Sequence, residues 1–131
     1  MARWERFSQR DLAYSKWHRH LGDDVTFVDI DAVEYCNKCM SPLAIMELAQ
    51  DVEQPNKPFM LTLRMARACN VPGYVVLYTA DETKEEKDTI VRMRVMKIYP
   101  EISGFNEVSG KDFGAWLKSL HDNCPCLHND G

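Results

Sequence analysis

No apolar run in this sequence approaches the roughly 20 residues that a transmembrane helix requires. The opening segment, residues 1–6, also lacks the apolar core of a secretory signal peptide. We therefore expect no membrane partner and a soluble protein in the cytoplasm, or in the host cytoplasm if a phage encodes it. Internal repeats and low-complexity stretches are missing too. This excludes repeat architectures and favours one folded domain over residues 1–131.

An excess of positive charge is also missing, since the formal net charge at pH 7 is -4. Such a chain does not attract nucleic acid through its overall electrostatic field. Basic residues nevertheless outnumber acidic ones in the opening segment of the chain. The nucleic-acid contacts that we predict there are Arg10, Lys16 and Arg19. The alternative is that these side chains only form the solvated face of a helix.

Hydrophobic periodicity predicts an α/β (α+β) domain with a central mixed sheet flanked by helices. The expected strands cover about 25–36, 43–48, 74–79 and 89–99, the expected helices cover about 8–21, 58–69 and the segment after 109, and 81–88 is expected to be a solvated loop. Segment 74–79 is almost continuously apolar, as in a strand covered on both faces. Trp17 is expected to face inward from the first helix. Arg92 and Arg94 give the last strand one basic face, and Ser109 begins a capping box.

Carboxylates occupy alternating positions of the first two expected strands, although acidic residues are disfavoured in strands. Asp29 and Asp31 share one face of the first strand, and Glu47 lies on the second. A tight turn at 36–39 would pair these strands and bring Asp31 close to Glu47. Two such carboxylates repel each other unless a cation compensates them, and oxygen ligands suit Mg²⁺ or Mn²⁺. We therefore predict a divalent metal on Asp29, Asp31 and Glu47; the alternative is an edge hairpin whose acids face water.

Two segments, Asp31-Ala-Val-Glu-Tyr35 and Pro42-Leu-Ala-Ile-Met-Glu47-Leu-Ala49, resemble the signature of the PD-(D/E)XK nucleases, which have the restriction-endonuclease-like fold. In that family an Asp near the start of one strand and a Glu-x-Lys on the next surround one or two divalent metals. The resemblance implies that Asp31 and Glu47 hold the metal, and it extends to the element order over about two thirds of the chain. Ala49 departs from the pattern, because it stands where the catalytic Lys is expected.

The resemblance also implies roles for residues outside the two strands. Arg64 and Lys57, both expected on the second helix, are candidate substitutes for the missing Lys. The opening helix of the family lies beside the active site, which implies that His18 or Arg19 reaches the substrate. Members of the family often cut two DNA strands with two protomers, so a homodimer is expected.

The cysteines form a second set of candidate ligands. Cys36 and Cys39 have the spacing of a zinc knuckle, and the Cys/His-containing tail at 121–131 offers partners for them. The tail candidates are Cys124, Cys126, His121 and His128. The sequence thus predicts a structural Zn²⁺ site; the alternative is reduced thiols, or disulfides that form only on oxidation. Cys69 is predicted to be a small core residue on the second helix.

Two functions from different classes remain open at this point. One is a metal-dependent nuclease that cleaves DNA phosphodiester bonds. The other is a catalytically inactive relative whose fold binds nucleic acid or a protein partner, with zinc as a stabilising ion. The retained acids favour the nuclease, and the absence of Lys at position 49 favours the inactive module.

Overall fold

A computed structural model describes residues 13–26, 30–80 and 90–127. In chain order the elements are α1 (Ala13–Arg19), β1 (Ala32–Tyr35), β2 (Pro42–Gln50), α2 (Met60–Cys69), β3 (Gly73–Ala80), β4 (Ile90–Tyr99), β5 (Asn106–Ser109), α3 (Gly110–Asp122) and a final 3-10 turn (Pro125–Leu127). The fold is α+β with a five-stranded mixed sheet and three helices. Several predicted features lie outside the described residues: Arg10, Asp29, His128, the 81–88 loop and residues 8–12 of the first expected helix.

The sheet has the order β1-β2-β3-β4-β5, so neighbours in space are neighbours in sequence. β1 and β2 form an antiparallel hairpin, and β3 pairs antiparallel to β4, which pairs antiparallel to β5. β2 and β3 are parallel, and a parallel pair needs a crossover connection, which α2 provides here. The mixed character of the sheet therefore comes from this one crossover.

Apolar side chains fill both faces of the sheet. On one face Tyr74 and Val76 of β3 pack with Phe113 and other residues of α3. On the opposite face Val75 and Leu77 pack with residues that include Leu63 of α2. The continuous apolar run of β3 follows from this arrangement, because alternate side chains enter two different cores. No helix in the described ranges is long and apolar enough to cross a membrane.

The first strand is shorter than predicted, and one strand was missed. Among the described residues of the expected strand at 25–36, pairing with β2 begins at Ala32. Just before it, a carboxylate oxygen of Asp31 accepts a hydrogen bond from the backbone N–H of Leu48 at 2.9 Å, so a side chain instead of a strand carbonyl satisfies this amide. β5 has only four residues, of which Val108 alone is an apolar contact to the core, and this leaves little periodicity to detect.

The prediction that Trp17 faces inward from the first helix is wrong. Trp17 is 57% exposed and contacts Tyr14, with ring centroids 5.7 Å apart, whereas His18 is buried. Apolar spacing identifies a stripe on a helix, but the docking of the helix decides which stripe is covered. In α1 the covered side chain is therefore that of His18.

Cys69 is also placed differently from the prediction. It is the last residue of α2 and is exposed. The buried positions of α2 are Thr62 and Ala66, and Asn70 ends the helix in a left-handed conformation with φ 55°. Cys69 therefore lies at the exposed end of α2, beyond its buried residues.

Two glycines of α3 provide a test of this packing. A Cβ at Gly110 would overlap the carbonyl oxygen of Ile90, where α3 begins against β4, whereas a Cβ at Gly114 meets nothing within 4 Å. We expect Gly110→Ala to lower the free energy of unfolding by about 2 kcal/mol, as overpacking does. Gly114→Ala should raise it by about 0.5 kcal/mol through helix propensity. Urea unfolding of both variants would measure this, and equal stabilities would contradict the close contact of α3 with β4.

Candidate functional site

The two carboxylates that the sequence singled out lie side by side on the α2 face of the sheet. Asp31 immediately precedes β1, and Glu47 lies in β2. The ammonium nitrogen Nζ of Lys57 is 2.7 Å from Oδ2 of Asp31 and 3.1 Å from Oε2 of Glu47. The predicted proximity of the two acids is therefore confirmed. Their role as metal ligands stays a prediction.

Lys57 reaches this pair from the loop that joins β2 to α2, because α2 begins only at Met60. The sequence had placed it on the helix, and this detail is wrong. Nζ of Lys57 also donates to the carbonyl oxygen of Leu48 at 2.7 Å. One oxygen each from Asp31, Glu47 and Leu48 thus lies within 3.1 Å of Nζ of Lys57.

Hydrogen bonding and partial burial set the charge state of this cluster. Partial burial on its own would raise the pKa of Asp31, but hydrogen bonds from Lys57 and from the Leu48 amide outweigh it and lower the pKa. Partial burial would likewise lower the pKa of Lys57, but hydrogen bonds to Asp31 and Glu47 outweigh it and raise the pKa. Asp31 and Lys57 are therefore both charged at neutral pH, and the ammonium group offsets the repulsion between the two carboxylates.

The carboxylate of Glu47 has a second partner on α2. The hydroxyl of Thr62 donates a short hydrogen bond to Oε1 of Glu47, and Thr62 is only 4% exposed. Oε2 of Glu47 faces Lys57. One oxygen is thus held by the crossover helix while the other points to the shared cluster, so both carboxylates have fixed orientations.

An ion pair on the same face anchors the loop that carries Lys57. The guanidinium of Arg94 in β4 donates through Nε and Nη2 to the two carboxylate oxygens of Asp51, each at 2.8 Å. Nη2 also donates to the carbonyl of Gln54 at 2.9 Å, and the guanidinium lies 5.1 Å from the ring centre of Phe105. The hydrogen bonds from Arg94 lower the pKa of Asp51 to about 2. We call this arrangement the Asp51–Arg94 clamp.

Both arginines of the basic face predicted for β4 have acidic partners. Arg94 is engaged by Asp51, and Arg92 lies 3.5 Å from Glu107 of β5. Alternation along β4 correctly put both arginines on one face. It gave no indication that Asp51, 43 positions away in the chain, supplies an acid to Arg94.

The other predicted site residues are distributed over α1 and α2. His18 is buried in α1, whereas Lys16 and Arg19 are exposed. Arg64 is exposed on α2, and the described ion pairs of Asp31 and Glu47 are with Lys57. The catalytic roles of His18 and Arg64 and the phosphate contacts of Lys16 and Arg19 stay predictions.

Four cysteines meet at the other end of the hairpin. Cys36 and Cys39 lie in the β1–β2 turn, where the amide of Cys36 donates to the carbonyl of Ser41 and the amide of Met40 donates to the carbonyl of Cys36. Cys124 and Cys126 follow α3, and the sulfurs of all four residues lie within 4.8 Å of one another. The prediction that the tail meets the knuckle is confirmed, and this four-cysteine cluster can hold a metal ion.

The pKa values of the two turn cysteines are lowered, whereas the pKa of Cys126 in the tail is raised. Hydrogen bonds from the side chain and backbone of Ser41 lower the pKa of Cys39 to about 6, and backbone amides of the turn lower the pKa of Cys36. Crowding by the neighbouring thiols, Cys124 first among them, raises the pKa of Cys126. His121 pairs with Glu34 at 2.8 Å instead of joining the sulfurs.

Comparisons with models of protein families, with curated proteins and with solved structures found no match. The resemblance to the PD-(D/E)XK nucleases therefore depends on the residues and the geometry described above.

Proposed function

We propose that this protein is a metal-dependent nuclease that cleaves DNA phosphodiester bonds, and that its sheet is a restriction-endonuclease-like core. One observation carries the proposal: Asp31, Glu47 and Lys57 converge on the α2 face of the sheet. Two carboxylates and a lysine are the groups that the family resemblance implies. The order of hairpin, crossover helix and parallel strand supports the same core.

The oxygens around Nζ of Lys57 form a donor set that suits Mg²⁺ or Mn²⁺. They are carboxylate oxygens of Asp31 and Glu47 and the carbonyl oxygen of Leu48. Hard cations bind such oxygens. When bound, the ion would act as a Lewis acid that activates water and offsets the charge developing on the phosphate. The Leu48 amide and the Thr62 hydroxyl keep the two carboxylates aimed at the same point.

Lys57 takes the role that Ala49 cannot perform. Ala49 lies on the same face of β2 as Glu47, but its methyl group carries no charge. Displaced from the carboxylates by a bound metal ion, the ammonium group of Lys57 could then bind a phosphate oxygen and stabilise the negative charge that cleavage develops. The family's Lys is thus replaced by a residue from the loop before α2.

The inactive module remains a second candidate because of one specific observation. Nζ of Lys57 already lies within 3.1 Å of both carboxylates, so the pair is neutralised without a metal. In that function the cluster would serve only the stability of the hairpin, and DNA would be bound without being cut. For the four-cysteine cluster both candidates include the same ion, Zn²⁺, which thiolate ligands favour in structural sites.

A cleavage assay on single-stranded, double-stranded and branched DNA would test the proposal. We expect cleavage with Mg²⁺ or Mn²⁺ and none in chelator. Asp31→Asn and Glu47→Gln should each reduce the rate by about 100-fold or more, because they remove charge from the metal ligands. Glu107→Gln is the matched control, since this acid is exposed at 60% and contacts Arg92 at the far edge of the sheet.

Metal binding should be measured on the same variants by calorimetry with Mn²⁺. Wild-type binding that is lost in Asp31→Asn and kept in Glu107→Gln would support the proposal. DNA binding with neither cleavage nor Mn²⁺ binding would establish the inactive module instead.

A further inference from the structure

The spacing of the four cysteine sulfurs matches one metal ion. Sulfurs around a tetrahedral zinc with bonds of about 2.3 Å lie about 3.8 Å apart. Three of the six sulfur–sulfur distances are 3.5 Å between Cys36 and Cys126, 3.6 Å between Cys39 and Cys124, and 3.5 Å between Cys124 and Cys126. All six distances are within 4.8 Å. A disulfide needs about 2.05 Å. Polynuclear iron–sulfur clusters bind cysteines through different iron atoms and need a wider set of sulfurs.

With all four thiols ionised, the cluster favours a cation for electrostatic reasons. Four thiolates this close together repel one another strongly, and a divalent ion removes that repulsion. Cys36 and Cys124 are 4% and 2% exposed, so solvent alone cannot screen the charge.

The four-cysteine cluster lies at the end of β1, a short strand at the edge of the described sheet. β1 has four residues, and within the described part of the chain it pairs in the sheet with β2 alone. The register of this pair shifts between Glu34 and Tyr35, immediately before Cys36. A short edge strand of this kind opens easily unless other contacts hold it. Besides the pairing with β2, β1 is fastened by the Glu34–His121 contact in its second half and by the cluster at its end.

We infer that Cys36, Cys39, Cys124 and Cys126 bind one structural Zn²⁺ ion, which fastens the end of α3 to the β1–β2 turn and keeps β1, with Asp31 at its start, paired to β2. The zinc site and its effect on β1 are independent of catalysis. The consequence for Asp31 as a metal ligand rests on the proposed function.

The first test is the metal content of the full chain purified without added metal. We expect about one equivalent of zinc in the wild type and in Cys69→Ser, and less than half of that in Cys36→Ser and Cys124→Ser. Cys69 is the matched control because it is exposed at the end of α2. Replacement of zinc by Co²⁺ should give the intense visible bands of tetrahedral cobalt bound to thiolates. Metal-free wild type without these bands, or disulfides joining the four cysteines, would overturn the inference.

The second test is hydrogen exchange of the β1 and β2 amides before and after removal of zinc. We expect at least a tenfold faster exchange for residues 32–36 in the zinc-free protein, and little change in β3. Unchanged exchange in β1 would refute the fastening role.

Cleavage assays keep this inference separate from the proposed function. If zinc is bound and β1 responds as expected but DNA is never cut, the proposed function fails and the inference stands. If the zinc-free protein cuts DNA as fast as the zinc-bound protein, the link to Asp31 is refuted while the nuclease proposal stands.

Discussion

Replacement of Lys57 by methionine is expected to lower metal-dependent DNA cleavage by about 100-fold or more while the protein stays folded. Methionine keeps an unbranched side chain that is one atom shorter and removes the ammonium group that contacts Asp31, Glu47 and the Leu48 carbonyl. Single-turnover cleavage rates would measure the effect. Lys111→Met is the matched control, because Lys111 is exposed on α3, which packs on the other face of the sheet.

Moving the lysine to the position where the family carries it makes this test sharper. Ala49 lies two residues after Glu47 on the same strand face, so the double variant Lys57→Ala, Ala49→Lys returns an ammonium group to the cluster from β2. We expect it to recover at least a tenth of the wild-type rate, whereas Lys57→Ala alone does not. If neither the loss nor the recovery is observed, Lys57 does not replace the family's lysine.

The substitution Lys57→Met should also change how the free energy of unfolding depends on pH. The lowered pKa of Asp31 means that its pairing stabilises the fold above the unfolded value of 3.8, and this contribution is lost as the pH falls through the folded pKa. The raised pKa of Lys57 means that its contribution is complete below 10.5 and is lost as the pH rises through the folded pKa. The stability difference between wild type and Lys57→Met should therefore be about 1–2 kcal/mol at neutral pH and should shrink at both extremes.

Loss of the Asp51–Arg94 clamp is expected to have the largest effect on stability. Arg94→Met leaves the carboxylate of Asp51, whose side chain is only 9% exposed, without its two charged hydrogen bonds. Asp51 would keep the hydrogen bond from the Glu53 amide, but a largely buried carboxylate that loses its charged partner is strongly destabilising. We expect a larger decrease in melting temperature than for Gly110→Ala, and little change for Arg92→Met, whose ion pair is exposed.

The acid side of the stability curve gives a specific signature of the clamp. The pKa of Asp51 is lowered to about 2 from 3.8, so the clamp stabilises the fold above pH 3.8 and its contribution is lost between pH 3.8 and 2. The difference between wild type and Arg94→Met should disappear over this interval. A difference that stays constant down to pH 2 would contradict the pairing.

A double variant separates the role of the clamp in stability from its role in positioning Lys57. Arg94→Met with Asp51→Ala removes both charges, so much of the lost stability should return. The anchor of the Gln54 carbonyl is still missing, and cleavage should stay low because the Lys57 loop is no longer held. Recovery of cleavage together with stability would show that the loop needs no anchor.

Local sequence patterns were sufficient for the main elements of the fold. The apolar run of β3 predicts a strand with two covered faces, and the contacts of Val76 and Leu77 with opposite cores confirm it. The capping box at Ser109 is observed, with its hydroxyl accepting from the Asp112 amide at 3.0 Å. Alternation along β1 and β2 brought Asp31 and Glu47 to one face. In each case the physical signal lies within a few residues of chain, where period and capping chemistry act.

Only the tertiary structure decided which side chains from distant parts of the chain contact each other. Lys57 lies in a loop with no periodicity, and its contact with Asp31 spans 26 positions. The Arg94 contact with Asp51 spans 43 positions. It forms because the parallel pairing of β2 with β3 and the antiparallel pairing of β3 with β4 place β4 near the loop after β2. The exposure of Trp17 and Cys69 depends in the same way on where a helix docks and where it stops. Residue types and local spacing determine which groups are present, whereas the order of the strands determines which of them meet.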